Sequence, residues 1–164
     1  MAVCADDADV IFRSCDGTLF KIHLKNLETN SEGFSPPSGT SSRGEIDIVS
    51  LTENGDTLDL LFQYIYPQRH PDLAEIDFKQ LAELSEAAEK YRVFAAMTRD
   101  MLRGYSQYIL SEAYADHSFE VMLYAMRHGY EKLMDKAEKI ALGVSQTLAF
   151  ECFTPQVYNA WVSY

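Results

Sequence analysis

The chain has 164 residues, 47% of them hydrophobic, and carries 25 acidic against 14 basic side chains for a formal net charge of −11. That is enough apolar material for one ordinary core or a small domain with an extension, and it excludes wholesale disorder. The acidic balance argues against nucleic acid and anionic membranes as partners, since both need Lys and Arg to neutralise phosphate; basic protein surfaces stay open.

Val10 to Arg13 and Leu19 to Ile22 are apolar and β-branched or aromatic, and Asp16-Gly17 between them predicts a hairpin. Residues 23 to 32 read as a helix on which Leu24 and Leu27 share a face. NSEGFSPPSGTSSRGE, residues 30 to 45, is rich in Ser, Gly and Pro and reads as an exposed loop. A third strand is expected on Ile46, Ile48 and Leu51, with Val49 breaking the alternation. In DTLDLLFQYIYP, Leu58, Leu61, Phe62 and Ile65 fall at i, i+3, i+4 and i+7, one face of a helix with Asp56 as N-cap and Pro67 past its end. After a turn-rich connector, Phe78, Leu81, Leu84, Ala88 and Tyr91 stripe a helix ending near Arg92. Another is expected from Phe94 to Tyr105, presenting Ala96, Met97, Met101 and Tyr105.

The last third reads as helical throughout. Phe119, Met122, Leu123 and Met126 make one stripe, stopped by Gly129; Tyr130, Leu133, Ala137 and Ile140 make the next, ended by Gly143. Thr154-Pro155 has the form of an N-cap followed by an N1 proline, opening a helix with Val157, Ala160, Trp161 and Tyr164 on its apolar face. The fold class is therefore α+β over the first hundred residues and all-α afterwards.

A search for chemistry returns little. His23, His70, His117 and His128 form no HExxH, and Cys15 and His23 match no zinc spacing. Cys15 adjoins Asp16, an acidic neighbour that disfavours the thiolate a nucleophile needs. GxSxG, GxGxxG and P-loop patterns are absent from the sequence. Glu83, Glu86 and Glu89 read as a solvated helix face, and Met97, Met101, Met122 and Met126 as core rather than a binding groove. No catalytic, cofactor-binding or metal-ligating residue is expected, and no small-molecule substrate. Cys4, Cys15 and Cys152 are widely spaced without CxxC, as reduced thiols of an intracellular protein, cytoplasmic or nuclear. The first ten residues show no signal peptide, and no apolar run approaches the roughly 20 residues that span a bilayer.

One stretch is more specific. FKIHLKNLETNSEGF sets Phe20, His23, Leu27, Ser31 and Phe34 at offsets 0, 3, 7, 11 and 14, after Asp9-Val10 upstream. This resembles the signature of the BTB/POZ domain. IDIVSLTENGDTLDLLFQYIYP is similar to that family's third strand and next helix, with Tyr66 as its closing Tyr, and LAELSEAAEKYRV to the following helix, with Tyr91 in place. YPQR, AAEKY and HSFEVMLYAMRHGYEKL resemble BTB proteins of mushroom-forming fungi.

The resemblance implies a BTB/POZ fold over residues 1–103, a small three-stranded sheet flanked by helices, then an all-α BACK-like extension over 104–164. It implies a protein–protein interaction module without cofactor or enzymatic activity, whose partner is itself, another BTB protein or a cullin-3 ubiquitin-ligase scaffold. His23 and its neighbours would then serve folding, with the imidazole hydrogen-bonded. The family's hydrophobic-x-Glu cue maps to Leu51-Thr52-Glu53, and Asp56, Asp59 and Gln63 on the polar side of the next helix complete the candidate partner-binding set. Eight residues precede Asp9, fewer than the strand and helix that dimeric members exchange, and Leu24 stands where many carry Arg, so a swapped homodimer is not expected. Two alternatives stay open: a regulatory or scaffolding domain of a longer signalling or transcription protein, and a small thiol-dependent enzyme using Cys15 and His23.

Overall fold

VIFR and LFKI are short alternating runs, so each can set one face on a core and the other in water. In the computed structural model, which describes residues 8–34, 48–73, 76–97, 117–143, 145–152 and 155–163, they form β1 (Val10–Arg13) and β2 (Leu19–Ile22). The two are antiparallel, Val10 opposite Ile22 and Phe12 opposite Phe20, and these four side chains are buried. The hairpin loop runs from Ser14 to Thr18: Ser14 N–H donates to Thr18 O (2.9 Å) and Gly17 N–H to Ser14 O (3.1 Å).

β2 leads straight into α1 (Leu24–Asn30), whose cap residue His23 makes no side-chain cap bond. Asp9 takes that role from before β1, its Oδ1 accepting the Leu24 N–H at 2.6 Å. At the other end the buried Ser31 hydroxyl donates to Leu27 O (2.6 Å). This helix lies in the crossover that lets β3 (Ile48–Ser50) return parallel to β1, giving the order β2-β1-β3. The expected register of the third strand is wrong. Val49 pairs with buried Phe12 and so takes the inward side, while Ile48 is 50% exposed. Ile46 and residues 35–45 of the expected loop lie outside the described residues.

α2 (Gly55–Gln63) forms where the periodicity put it, and Leu58, Leu61, Phe62 and Ile65 are fully buried. Its cap is Asn54, not Asp56. The Asn54 side-chain oxygen accepts the Thr57 N–H at 2.8 Å, which Asp56, already inside the helix, cannot do. Asp56 instead adds a favourable negative charge to the first turn. α3 (Phe78–Tyr91) is capped by Asp77, buries its whole expected stripe, and stops at Arg92 in the left-handed region. Residues 94–97 turn helical again; the rest of the helix expected to Tyr105 lies outside the described residues.

Aromatic rings join these elements. The Phe62 ring sits 5.5 Å from Phe12, 5.3 Å from Phe20 and 5.9 Å from Phe34, and Phe34 stacks on Tyr91 at 4.3 Å. The glycine before Phe34 has a steric reason. Gly33 N–H donates to Tyr91 O at 2.8 Å, and a Cβ on Gly33 would lie 2.5 Å from the Tyr91 Cα.

The chain divides into two units, Met1–Gly104 and Tyr105–Tyr164. In the second, α4 (Ser118–His128) and α5 (Glu131–Ala141) pack as a helical hairpin. Gly129 makes the turn possible with φ 76°, which a side chain would oppose. The expected α4 stripe is rotated. Phe119, Val121, Tyr124 and Ala125 are buried, and Met126 is 62% exposed. On α5 the buried residues are Leu133, Ala137 and Ala141, with Ile140 only half-buried. Ala125, Ala137 and Ala141 are buried beside the larger Phe119, Tyr124 and Leu133, so small residues share these faces, which a count of large apolar residues does not capture. α6 (Gln146–Cys152) and α7 (Pro155–Val162) follow, the latter opened by its proline. The expected cap Thr154, and the side chains of Val157, Ala160, Trp161 and Tyr164, lie outside the described residues. Among the described residues no helix is long and apolar enough to cross a membrane.

Candidate functional site

Spacing alone cannot say whether His23 is placed for chemistry or for folding; its neighbours can. Its backbone N–H donates to the Tyr66 hydroxyl at 3.2 Å, and Nδ1 lies 3.0 Å from the same oxygen. The Tyr66 hydroxyl thus meets both the backbone and the ring of His23, fixing the imidazole against the chain that follows α2. Cys15 is at the far end of the hairpin, across the length of β2, roughly 13 Å of extended chain. Cys15 is a free, exposed thiol. The structure therefore separates the two members of the thiol–imidazole pair.

The other residues of the resemblance gather in the same unit. Val10, Phe20, Leu27 and Phe34 are core, Ser31 bridges to Val93, and Asn30, next to Ser31, donates to Ile65 O at 2.9 Å, tying α1 to the end of α2. Asp9 caps α1 and Tyr91 backs Phe34.

The five candidate partner-binding residues do not share one surface. Leu51 continues the sheet, its N–H on Arg13 O at 2.8 Å. The Glu53 carboxylate turns toward α3, accepting from Lys90 Nζ and from the Tyr91 hydroxyl, each at 2.7 Å, and its side chain is 13% exposed. Burial opposes the Glu53 charge, but the hydrogen bonds from Lys90 and Tyr91 outweigh it and hold the carboxyl below the ordinary carboxylate range. Tyr91 moves the other way, raised by burial and by its bond to the Glu53 carboxylate.

Glu53 lines an open groove of about 600 Å³ whose floor includes Ala82 and Ala87 and whose rim carries Glu86, Lys90 and Cys15. Glu83 lies on its wall and is not simply solvated as its spacing suggested: it accepts from Asn54 Nδ2 (2.9 Å) and the Thr57 hydroxyl (3.2 Å), fastening the start of α2 to α3. Asp56 and Asp59 line a separate recess of about 320 Å³ with Asp16. Gln63 bonds back to Asp59 at 3.2 Å and stiffens that side of α2.

Asp16, expected from the sequence only to form the turn and to sit beside Cys15, also links two elements. One carboxylate oxygen is bonded by the Ser14 hydroxyl and the other accepts the Gly55 N–H at 3.0 Å, so the hairpin tip caps α2. These bonds, Ser14 first and Gly55 second, hold its carboxyl down at about 2. The visible signal was an acid beside a glycine at a hairpin tip; its partner 39 residues away was not visible. Among the described residues no three His, Cys, Asp or Glu side chains are placed to hold a metal ion. A scan against protein-family models matches nothing in this chain, and a search of curated proteins finds no significant match.

Proposed function

We propose that the first unit is a protein–protein interaction module of BTB/POZ type. It works by presenting a rigid surface, and its partner is a second copy, another BTB/POZ chain or a cullin-3 scaffold. The second unit is read as a BACK-like helical extension. The observation that carries this reading is that residues of the resemblance far apart in sequence meet in pairs a folding motif would need: His23 with Tyr66 and Phe34 with Tyr91. Such a motif builds a scaffold and leaves recognition to side chains that project from it, here Asp56, Asp59 and Gln63 on α2.

The test is capture of partners from a host lysate on the immobilised chain, repeated with purified cullin-3 and with the double reversal Asp56→Lys, Asp59→Lys. Direct cullin-3 binding that the reversal removes would establish a ligase adaptor. Recovery of BTB/POZ chains alone would assign a self-association or scaffolding role. If neither binds, the reading fails.

A further inference from the structure

The outer face of the sheet combines features that a merely solvated face does not need. Ile11, Arg13, Leu19, Lys21, Ile48 and Ser50 project from it, as the register requires: Lys21 pairs with Ile11 and Ile11 with Ile48, while Leu19 pairs with Arg13 and Arg13 with Ser50. Leu19, Ile11 and Ile48 therefore form a diagonal aliphatic stripe across three strands, with Lys21 on one side and Arg13 on the other. Leu19 and Ile48 are each 50% exposed. Arg13 is steadied by the Ser50 hydroxyl at 3.0 Å, and Lys21 has no ion-pair partner among the described residues. The three strands, VIFR, LFKI and IVS, contain no acidic residue, in a chain with 25 of them. The preceding carboxylate, Asp9, is bonded to Leu24 N–H.

We propose that this face docks an acidic amphipathic helix of a partner protein, its aliphatic side chains along the stripe and its carboxylates over Lys21 and Arg13. The dimensions agree. With strands about 4.8 Å apart and a rise of about 3.3 Å per residue, the stripe is about 12 Å long. A helix rising about 1.5 Å per residue covers that in roughly two turns, the span of aliphatic positions at i, i+4 and i+7. Charge selects the sign of the partner: an isologous contact between two copies of this face would set Lys21 and Arg13 against like charges. Size selects its form: a face three short strands wide and about 12 Å along its stripe is well below the roughly 800 Å² per side of a stable interface between folded domains. The inference rests on the reading of the first unit as an interaction module but uses a different surface from α2, so the two can fail separately.

The test uses the full chain, labelled with nitrogen-15, and two synthetic capped helical peptides of about fifteen residues. One has Leu at i, i+4 and i+7 flanked by Glu; its twin has Lys in place of Glu. Amide shifts at Ile11, Arg13, Leu19, Lys21 and Ile48 with the Glu peptide alone are expected, with a dissociation constant on the order of 100 μM. Raising the salt should weaken binding, and Lys21→Glu should weaken it about tenfold. Leu19→Ser should weaken it without changing the salt dependence. Absence of shifts up to millimolar peptide, equal binding of the Lys twin, or undiminished binding to Lys21→Glu would overturn the proposal. So would concentration-dependent broadening of the same amides without peptide, which would assign the face to a second copy. Loss of cullin-3 binding in the Asp56, Asp59 reversal with peptide binding intact would separate the two surfaces.

Discussion

The first unit closes on aromatic rings and bonds between distant residues, whereas the described helices of the second pair with their neighbours in sequence. Phe12, Phe20, Phe34 and Phe62 meet in one cluster drawn from residues 12 to 62, and Asp16, Glu53 and His23 each reach a partner more than 35 positions away. In the second unit α4 and α5 are joined by a single turn at Gly129 and Tyr130 and bury Phe119, Val121, Tyr124, Ala125, Leu133, Ala137 and Ala141. Met126, Leu142, Phe150 and Val162 remain exposed there. Local contacts form fast and open at low free energy; long-range ones are slower and more cooperative. On that basis the α4–α5 hairpin should open at lower free energy than the first unit.

The largest effect should come from the ring at the centre of the cluster. Phe62→Ala removes a fully buried side chain that touches three other rings, and should cost about 3–5 kcal/mol. Urea unfolding measures the loss, and hydrogen exchange read separately over 8–97 and 117–163 shows where it falls. Equal loosening of both segments would erase the distinction between the units.

The same contrast explains what the sequence made legible. α2 and α3 were readable because each buries a broad face of large residues, and their period survives any choice of neighbour. The hairpin was readable from two alternating runs around Asp16-Gly17. β3 was misread because three residues carry too little alternation to fix a register; the parallel pairing with β1 decided it in favour of Val49. On α4 the stripe was set by the large residues and took in Met126, whereas the buried face runs through Val121, Tyr124 and Ala125. Glu53, Glu83 and Asp16 were invisible as cross-links because their partners are 26 to 39 positions away, and nothing local marks a carboxylate as bonded rather than solvated.

The His23 contact comes next in size. His23→Ala removes ring packing on Tyr66 (5.8 Å between centroids) and takes away the hydroxyl's ring-nitrogen partner. It should lower stability by more than about 1 kcal/mol, and Tyr66→Phe by about 1 kcal/mol. In the double variant the losses should fall short of additive, since both remove one contact. Urea midpoints equal to wild type for His23→Ala would leave the motif without the folding role assigned to it.

Glu53 is half-way between core and surface, and its effect should be smaller again. Glu53→Gln keeps the shape but loses the charge that Lys90 and Tyr91 share, and should cost about 1 kcal/mol. The Tyr91 phenol should then titrate lower, because the neighbouring carboxylate that raises it is gone. Ultraviolet titration reads this directly, against the other tyrosines as internal reference. An unchanged phenol would place the Glu53 carboxylate in solvent rather than on Tyr91.

The smallest effect is also the one that distinguishes the units by pH. Asp16 is held down at about 2 from an ordinary 3.8, so between those values the unfolded chain binds more protons than the folded one. Its contribution is therefore complete above about pH 4 and is lost as pH falls through about 2. Because the carboxylate is open to water, the slope it adds should be shallow. The amides that depend on it are in the first unit: Gly55 N–H bonds Asp16 directly, and Thr18 N–H bonds the Ser14 hydroxyl that Asp16 orients. The described ion pair of the second unit, His117 with Glu120, lies within one helical turn at the surface and holds no two elements together. Exchange at Gly55 and Thr18 should therefore rise with acid before that of the α4–α5 hairpin, and Asp16→Asn should remove the Asp16 share of the first unit's acid dependence, leaving that of Glu53. If the hairpin of α4 and α5 loosens first in wild type, the acid-sensitive joint lies elsewhere, and Asp16 is a turn former whose reach to α2 adds little.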